Sequence, residues 1–240
     1  MRKFAEMEGF CNVVQPEGSG IGAGPHELQG RWGAAFFGNA NPIVLELGCG
    51  KGEYTVELAR RYGDYNFIGV DIKGARMYTG AKQALEEGLK NVGFLRTRIE
   101  FIGRFFARDE VSAVWLTFPD PQMKMATKRL SSSYFLERYR GFVRDGGLVL
   151  LKTDSMFLYR YTRSVVELNG LEVVADMADI DSGVPEEWGE LLRIRTAYEA
   201  LWRSRGIGIH FLAFALRQDG ELREPEREPE RDDYRSNRHR

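Results

Sequence analysis

Residues 43–52, Ile-Val-Leu-Glu-Leu-Gly-Cys-Gly-Lys-Gly, run an apolar strand straight into a Gly-x-Gly-x-Gly turn, and a helical period opens at about Gly52. Few folds accept that order. Glycines there let a ligand approach the backbone and let the helix pack close to the sheet. A second strand, 66–71, ends in Asp71, where a parallel sheet would present a carboxylate beside the loop to a pair of vicinal ribose hydroxyls.

Downstream, short β-branched runs keep alternating with helical-period segments, the pattern of a parallel sheet covered by helices. The reading is strand 43–47, helix 52–62, strand 66–71, helix 74–87, strand 92–96, helix 99–107, strand 111–116, helix 131–141, strand 147–152, helix 155–168 and strand 171–175. A helix at 195–204 and a strand at 207–216 follow, and a helix passing so closely into a last strand suits an antiparallel insertion. One domain of this kind fills 240 residues.

Composition limits the rest. Thirty-four Lys and Arg against 35 Asp and Glu leave no global basic field, so any RNA site must be a local patch. Two cysteines and three scattered histidines argue against a disulfide scaffold and a zinc site, and the expectation is a cytoplasmic chain with no metal. No uncharged run reaches the roughly 18 residues of a membrane span, and Glu6 and Glu8 interrupt any signal-peptide core, so no membrane partner is expected. Residues 1–30, rich in glycine, read as a flexible N-terminal arm, and 31–216 as the folded α/β domain. Residues 217–240, with 7 Arg and 8 acids in a Pro-punctuated run, read as a disordered charged tail.

The turn at 48–52 has its third glycine one residue too early for the dinucleotide fingerprint, and Glu46 lies in the strand before it. An acid there opposes a pyrophosphate and suits a cation such as S-adenosylmethionine, with its ammonium and sulfonium. The alternative is that Glu46 only pairs with a base such as Lys51 and the glycines serve packing. A second cluster follows the strand at 111–116: Phe118-Pro119-Asp120-Pro121-Gln122-Met123-Lys124, in which two prolines restrict the backbone around Asp120. The carboxyl end of a central strand lines the ligand crevice of a doubly wound sheet, so Asp120 is expected opposite the glycine loop. Lys124, Lys128 and Arg129 then form a basic patch or a solvated loop. Trp115 and Phe118 could stack on a base, although core packing is the commoner role of a strand tryptophan.

These runs, in order and approximate spacing, resemble the bacterial type of the tRNA (guanine-N7)-methyltransferase family: L-E-L-G-C-G-K-G, I-G-V-D-I-K, F-P-D-P with a downstream K-R-L, L-K-T-D at 151–154, and T-A-Y-E at 196–199. The resemblance spans about residues 30–216. It implies an α/β class I S-adenosylmethionine-dependent (Rossmann-like) fold whose seven-stranded, mostly parallel sheet has its last strand antiparallel. It also implies methyl transfer from S-adenosylmethionine to N7 of the variable-loop guanine, position 46, of tRNA, by a monomer or homodimer. By the same resemblance Glu46, Gly48, Gly50, Asp71 and Asp120 would hold the cofactor, Asp120 would be catalytic, and Lys124, Asp154, Thr196, Tyr198 and Glu199 would face the guanosine.

Two departures stand out. Arg98 occupies the slot of the family's adenine-contacting acid, which moves that contact to backbone groups, to Arg98 or to Glu100. Gln122-Met123 replaces Trp-Pro in the Pro-Asp-Pro motif, and the basic loop after it is shorter. Two other readings stay open: a small-molecule methyltransferase, and a non-catalytic tRNA-binding homologue.

Overall fold

The computed structural model describes residues 6–16 and 24–233. Its centre is one eight-stranded sheet: β1 (Val13–Val14), β2 (Ile43–Leu47), β3 (Asn66–Asp71), β4 (Val92–Arg96), β5 (Val111–Thr117), β6 (Val143–Thr153), β7 (Val173–Met177) and β8 (His210–Leu216), in the order β1-β4-β3-β2-β5-β6-β8-β7. β1 to β6 pair in parallel, whereas β8 lies antiparallel between β6 and β7. The sheet is therefore the expected one with an eighth strand added.

β2 reads as a continuous apolar run because it is buried on both faces, as central parallel strands are. Alternation sends Ile43, Leu45 and Leu47 into one core layer, with Leu116, Phe157 and Phe214. Val44 goes into the other, with Tyr54, Phe94, Trp115 and Phe211. Glu46 follows Val44 on that second face. The helices are α1 (Glu53–Arg61), α2 (Gly74–Glu86), α3 (Ser133–Tyr139), α4 (Met156–Leu168), α5 (Glu186–Leu192) and α6 (Ala197–Arg203). Strand order reverses between β2 and β5, so the crevice opens where their carboxyl ends part.

Both chain ends depart from expectation. The stretch read as a flexible arm contributes β1, which pairs with β4 through Val13–Phe94 and Val14–Leu95, while the Asn12 amide donates to Ala81 O at 2.9 Å. Further on, Gly30 and Trp32 amides donate to the Glu110 carboxylate, and the Trp32 indole to Phe105 O at 2.7 Å. Residues 1–5 and 17–23 of that arm lie outside the described residues, as do 234–240 of the tail.

The tail, up to Asp233, lies against the domain rather than apart from it. Leu222 packs on the core, the Asn169 side chain bonds the backbone of Arg223 in both directions, and Glu224, Glu228 and Asp232 bond groups on α3, α4 and the loop before α3. Apolar content alone cannot foresee this attachment, because partners far away in sequence hold the segment through polar atoms.

Candidate active site

The glycine turn begins where β2 ends. Gly48, Gly50 and Gly52 all take positive φ (81°, 57° and 75°), which glycine adopts without the penalty a Cβ imposes. At Gly52 a Cβ would also stand 2.6 Å from the Phe94 ring. Gly48 and Cys49 donate to Val70 O at 2.8 and 3.1 Å, which ties the turn to β3. Asp71 then accepts the Gly50 N–H on one oxygen (2.9 Å) and the Lys73 N–H on the other (2.7 Å), so its carboxylate is oriented by the turn and by the approach to α2.

Glu46 is almost fully buried, and its two oxygens accept the hydroxyls of Thr55 and Thr117. Burial pushes its carboxyl up to about 7, with the two threonine hydroxyls pulling the other way. Pairing with Lys51 is not what holds it. Burial likewise pushes the Cys49 thiol up, and the negative charges of Glu46 and Asp71 add to the effect.

Two clefts meet at Gly48. One, of about 610 Å³, is lined by Asp71, Thr97, Arg98 and Glu100 on one side and by Gln122, Lys128, Tyr134 and Phe135 on the other. The second, of about 490 Å³, runs between Glu46, Gly50, Lys51 and Thr117 and the start of α6, Thr196 to Tyr198. The glycine turn is thus the sill between a wide slot beside Asp71 and a second slot that reaches the buried acid. Arg98 stays at the first slot's rim, about half exposed and paired with Glu100 at 3.3 Å.

After β5 the backbone is strained. Phe118 and Gln122, at either end of the Pro-Asp-Pro turn, have φ of 48° and 45°, values that non-glycine residues adopt only when their surroundings force them. Asp120 is exposed on this turn and accepts the Gln122 N–H on Oδ1 at 3.0 Å, with no protein partner on Oδ2 among the described residues. Lys124 and Lys128 are exposed. Arg129 is not: it is fully buried, so the expected three-residue basic patch reduces to two lysines.

The end of β6 carries a buried charge that none of the motifs singles out. Lys152 is 0% exposed, and its ammonium donates to Leu192 O (3.2 Å), Ile194 O (2.7 Å) and Glu199 Oε2 (2.8 Å). Burial pulls its pKa down, and Glu199 resists. Glu199 accepts Arg203 Nε on its other oxygen at 2.8 Å. A guanosine-facing Glu199 is therefore corrected: it is 0% exposed and joins α6 to β6 inside the protein. Thr196 caps α6 by accepting the Glu199 N–H (3.1 Å), and the Ala197 N–H donates to Glu53 at the start of α1 (2.8 Å). These bonds bring Tyr198 to the second cleft, its ring 5.4 Å from that of Phe118. Asp154 is buried at the β6 end. Trp115 packs in the core against Tyr54 and Phe211.

The structure thus gathers Glu46, Gly48, Gly50, Asp71, Arg98, Thr196 and Tyr198 around two joined clefts. Asp120 and Lys124 stand on the exposed turn at the carboxyl end of β5, and Asp154 and Glu199 are drawn inside. The residues that motif reasoning misses are Thr55, Thr117, Lys152 and the interior role of Arg129. Lys152 carries a signal, since a lysine that continues the apolar run Leu148–Leu151 must be buried and paired.

The architecture recurs widely. An antibiotic-related methyltransferase superimposes with a TM-score of 0.55 at 14% identity, covering 75% of this chain and 90% of that one. An S-adenosylmethionine-dependent methyltransferase from Aquifex aeolicus gives 0.52 at 13% identity, covering 75% and 85%. At that identity they speak for the fold alone. Sequence goes further. A family described as "Putative methyltransferase" matches residues 40–212. A tRNA (guanine-N(7)-)-methyltransferase of Bacteroides fragilis is 52% identical over 98% of this chain and 93% of its own length. Another, of Porphyromonas gingivalis, is 53% identical over 93% and 90%. Glycine turn, strand-end acid, Pro-Asp-Pro turn and α6 cap all fall within the residues that the family matches, and the chain belongs to the tRNA (guanine-N(7)-)-methyltransferase family.

Proposed function

We propose that this protein transfers the methyl group of S-adenosylmethionine to N7 of guanine 46 in the variable loop of tRNA. The observation that carries the reading is the pair of clefts joined at Gly48, one reaching a buried acid and the other a strand-end acid, beside a strained Pro-Asp-Pro turn. Family membership supplies the acceptor class.

The residues fit the methyl donor. Glu46 is a buried carboxyl group held by two hydroxyls rather than by a cation, and the second cleft reaches it, so a ligand ammonium entering there meets its natural counter-charge. A Cβ on Gly50 would meet nothing within 4 Å, which leaves the turn open for close approach. In this reading Asp71 takes ribose hydroxyls, and Thr97, Arg98 and Glu100 border the purine. When bound, the cofactor supplies an electrophilic methyl on a sulfonium.

Guanine N7 carries an in-plane lone pair and no proton, so no general base is needed to expose it. What the protein has to do is position the reactants and stabilise developing charge. Asp120 serves the second purpose, because its carboxylate, fixed by Gln122 N–H, accepts from the purine's N–H edge and favours the positive charge that develops there. Lys124, Thr196 and Tyr198 bound the acceptor side, with Asp154 and Glu199 supporting from within. A base stacked in tRNA has to leave its stack to reach such a crevice.

The test is methyl transfer by the purified chain to two tRNA transcripts that differ only in carrying guanine or adenine at position 46. The expected result is one 7-methylguanine per guanine-46 transcript and none on the other. Equal labelling of both overturns the position; labelling of neither, with cofactor bound, points to another acceptor class.

A further inference from the structure

The run Glu221–Asp233 has no part in the reading above, yet it reaches a fully buried guanidinium. Arg129 donates through Nε to Pro121 O and Gln122 O (3.3 Å each) and through Nη2 to Met123 O (3.4 Å). Its guanidinium carbon lies 4.8 Å from the Phe157 ring centre and 4.3 Å from that of Tyr161. All three carbonyls belong to consecutive residues, 121–123, where the chain leaves the strained Pro-Asp-Pro turn. They are neutral, and Nη1 has no hydrogen-bond partner among the described residues. The acid that faces the cation comes from the tail: Glu228 Oε1 accepts Nη2 at 2.6 Å.

Glu228 is held from both sides at a spacing of four residues. Glu224 accepts from the Ser133 N–H (3.1 Å), the Ser133 hydroxyl (2.6 Å) and the Tyr161 hydroxyl. Asp232 accepts from the Phe157 N–H (2.9 Å) and the Ser155 hydroxyl at the start of α4. Composition alone would make this segment a solvated run of charges. Here three of its acids find specific donors on the body, and the middle one neutralises the cation that grips the turn. A buried cation that loses its counter-charge pulls towards water, and its carbonyl grip loosens with it.

We propose that the C-terminal segment is a strap completing the active site, in which Glu228, as counter-ion of Arg129, is a positioning residue that keeps the Pro119–Met123 turn, and with it Asp120, in working shape. The proposal rests on the reading that Asp120 acts at the methyl-transfer site. A tail that instead competed with RNA phosphates would show the opposite effect on removal of its charge.

Full-length Glu228→Gln and Glu228→Ala separate the cases. Single-turnover methyl transfer at saturating tRNA and cofactor is expected to fall about ten-fold in the alanine variant, the size of effect that slight misplacement of a catalytic group produces, with KM for tRNA and cofactor affinity within about two-fold of wild type. Glu228→Asp, which keeps the charge, is expected to recover most of the rate. Amide exchange gives a readout that needs no substrate: amides 122–129 exchange faster in Glu228→Gln while those of β2, β3 and β5 do not. Unaltered exchange at 122–129 overturns the proposal, as does a wild-type rate, and a faster rate or tighter tRNA binding overturns it in favour of an RNA-mimicking strap. Should the wild-type chain methylate no tRNA, the functional reading fails while the exchange measurement still decides the coupling.

Discussion

The proposed cofactor side and the proposed acceptor side of the crevice are built in different ways. Glu46, the glycine turn and Asp71 fall within 26 residues, and strand ends and backbone N–H groups orient them. The acceptor side is gathered from the β5 turn, the end of β6, the start of α6 and the C-terminal segment, and ion pairs made by two buried cations join the pieces: Lys152 with the equally buried Glu199, and Arg129 with Glu228, whose side chain is 40% exposed. Regular structure can place a glycine turn because the sheet dictates where each strand ends. Loops have no such scaffold, and a cation with several donors can collect carbonyls from two segments at once. The acceptor side should therefore be the more fragile to single substitutions.

The largest effect is expected from cutting an acceptor-side anchor. Lys152→Met leaves Glu199 buried beside Arg203 alone, and loss of stability towards the low end of the roughly 3–5 kcal/mol for a broken buried pair is expected in denaturant unfolding. A second change, Glu199→Gln, should return part of it; a Lys152→Met protein as stable as wild type would show that the pair anchors nothing.

Next comes Asp120→Asn, which removes charge and keeps volume. Loss of roughly 10²-fold in single-turnover rate, with melting temperature and cofactor affinity nearly kept, is the expected outcome. Near-wild-type methylation of guanine N7 would reduce Asp120 to a turn residue and blur the contrast between the two sides.

The cofactor side answers to pH instead. With its carboxyl raised by burial from 4.5 to about 7, Glu46 takes up a proton in the folded protein as pH falls through about 7, and a ligand ammonium then has to displace it. Affinity for S-adenosylmethionine should fall as pH drops from about 8 to about 6, on either side of that raised value, by calorimetric titration. The unliganded protein should change in the other sense: a raised pKa contributes stability that is full below about 4.5 and is lost as pH rises through about 7. Glu46→Gln should flatten both curves, and an unchanged pH dependence would remove the buried acid from the cofactor side.

The smallest effect belongs to the surface. Lys124→Ala with Lys128→Ala should weaken tRNA binding several-fold and make its salt dependence shallower by about one to two in the log–log slope. Cofactor affinity should not move. A wild-type salt slope would shift the RNA footprint elsewhere.

Legibility in the sequence follows the same division. β2, β3 and β4 stand where the apolar runs put them, because strands buried on both faces leave no other pattern. Asp71 and the glycines are readable for that reason. Arg129 is not: it looks like a member of a basic loop, and only the distant Phe157, Tyr161 and Glu228 make it an interior residue. Glu199 misleads in the same way, since a motif marks that a residue matters without saying which way it points. The two-residue β1 is too short to carry a period, and the helix Glu186–Leu192 lies in a stretch whose acidic residues hide its apolar side.

The place of β8 has a consequence for the order in which the molecule can be assembled. It lies between β6 and β7, two strands that precede it in the chain, and β8 is the strand through which β7 joins the sheet. A ribosome that has released everything up to β7 has therefore produced a sheet that stops at β6, with its free edge exposed and α6 still to come. Glu199 precedes β8 in the chain and Glu228 follows it, so their bonds to Lys152 and Arg129 come after the rest of the crevice has been made. During synthesis the cofactor side can form early from local contacts, while the acceptor side waits for long-range ones. On the site proposed above, a nascent chain would hold a methyl donor before it has anywhere to send the methyl group, and a chain cut short before the strap is expected to be a folded binder with an unfinished acceptor side.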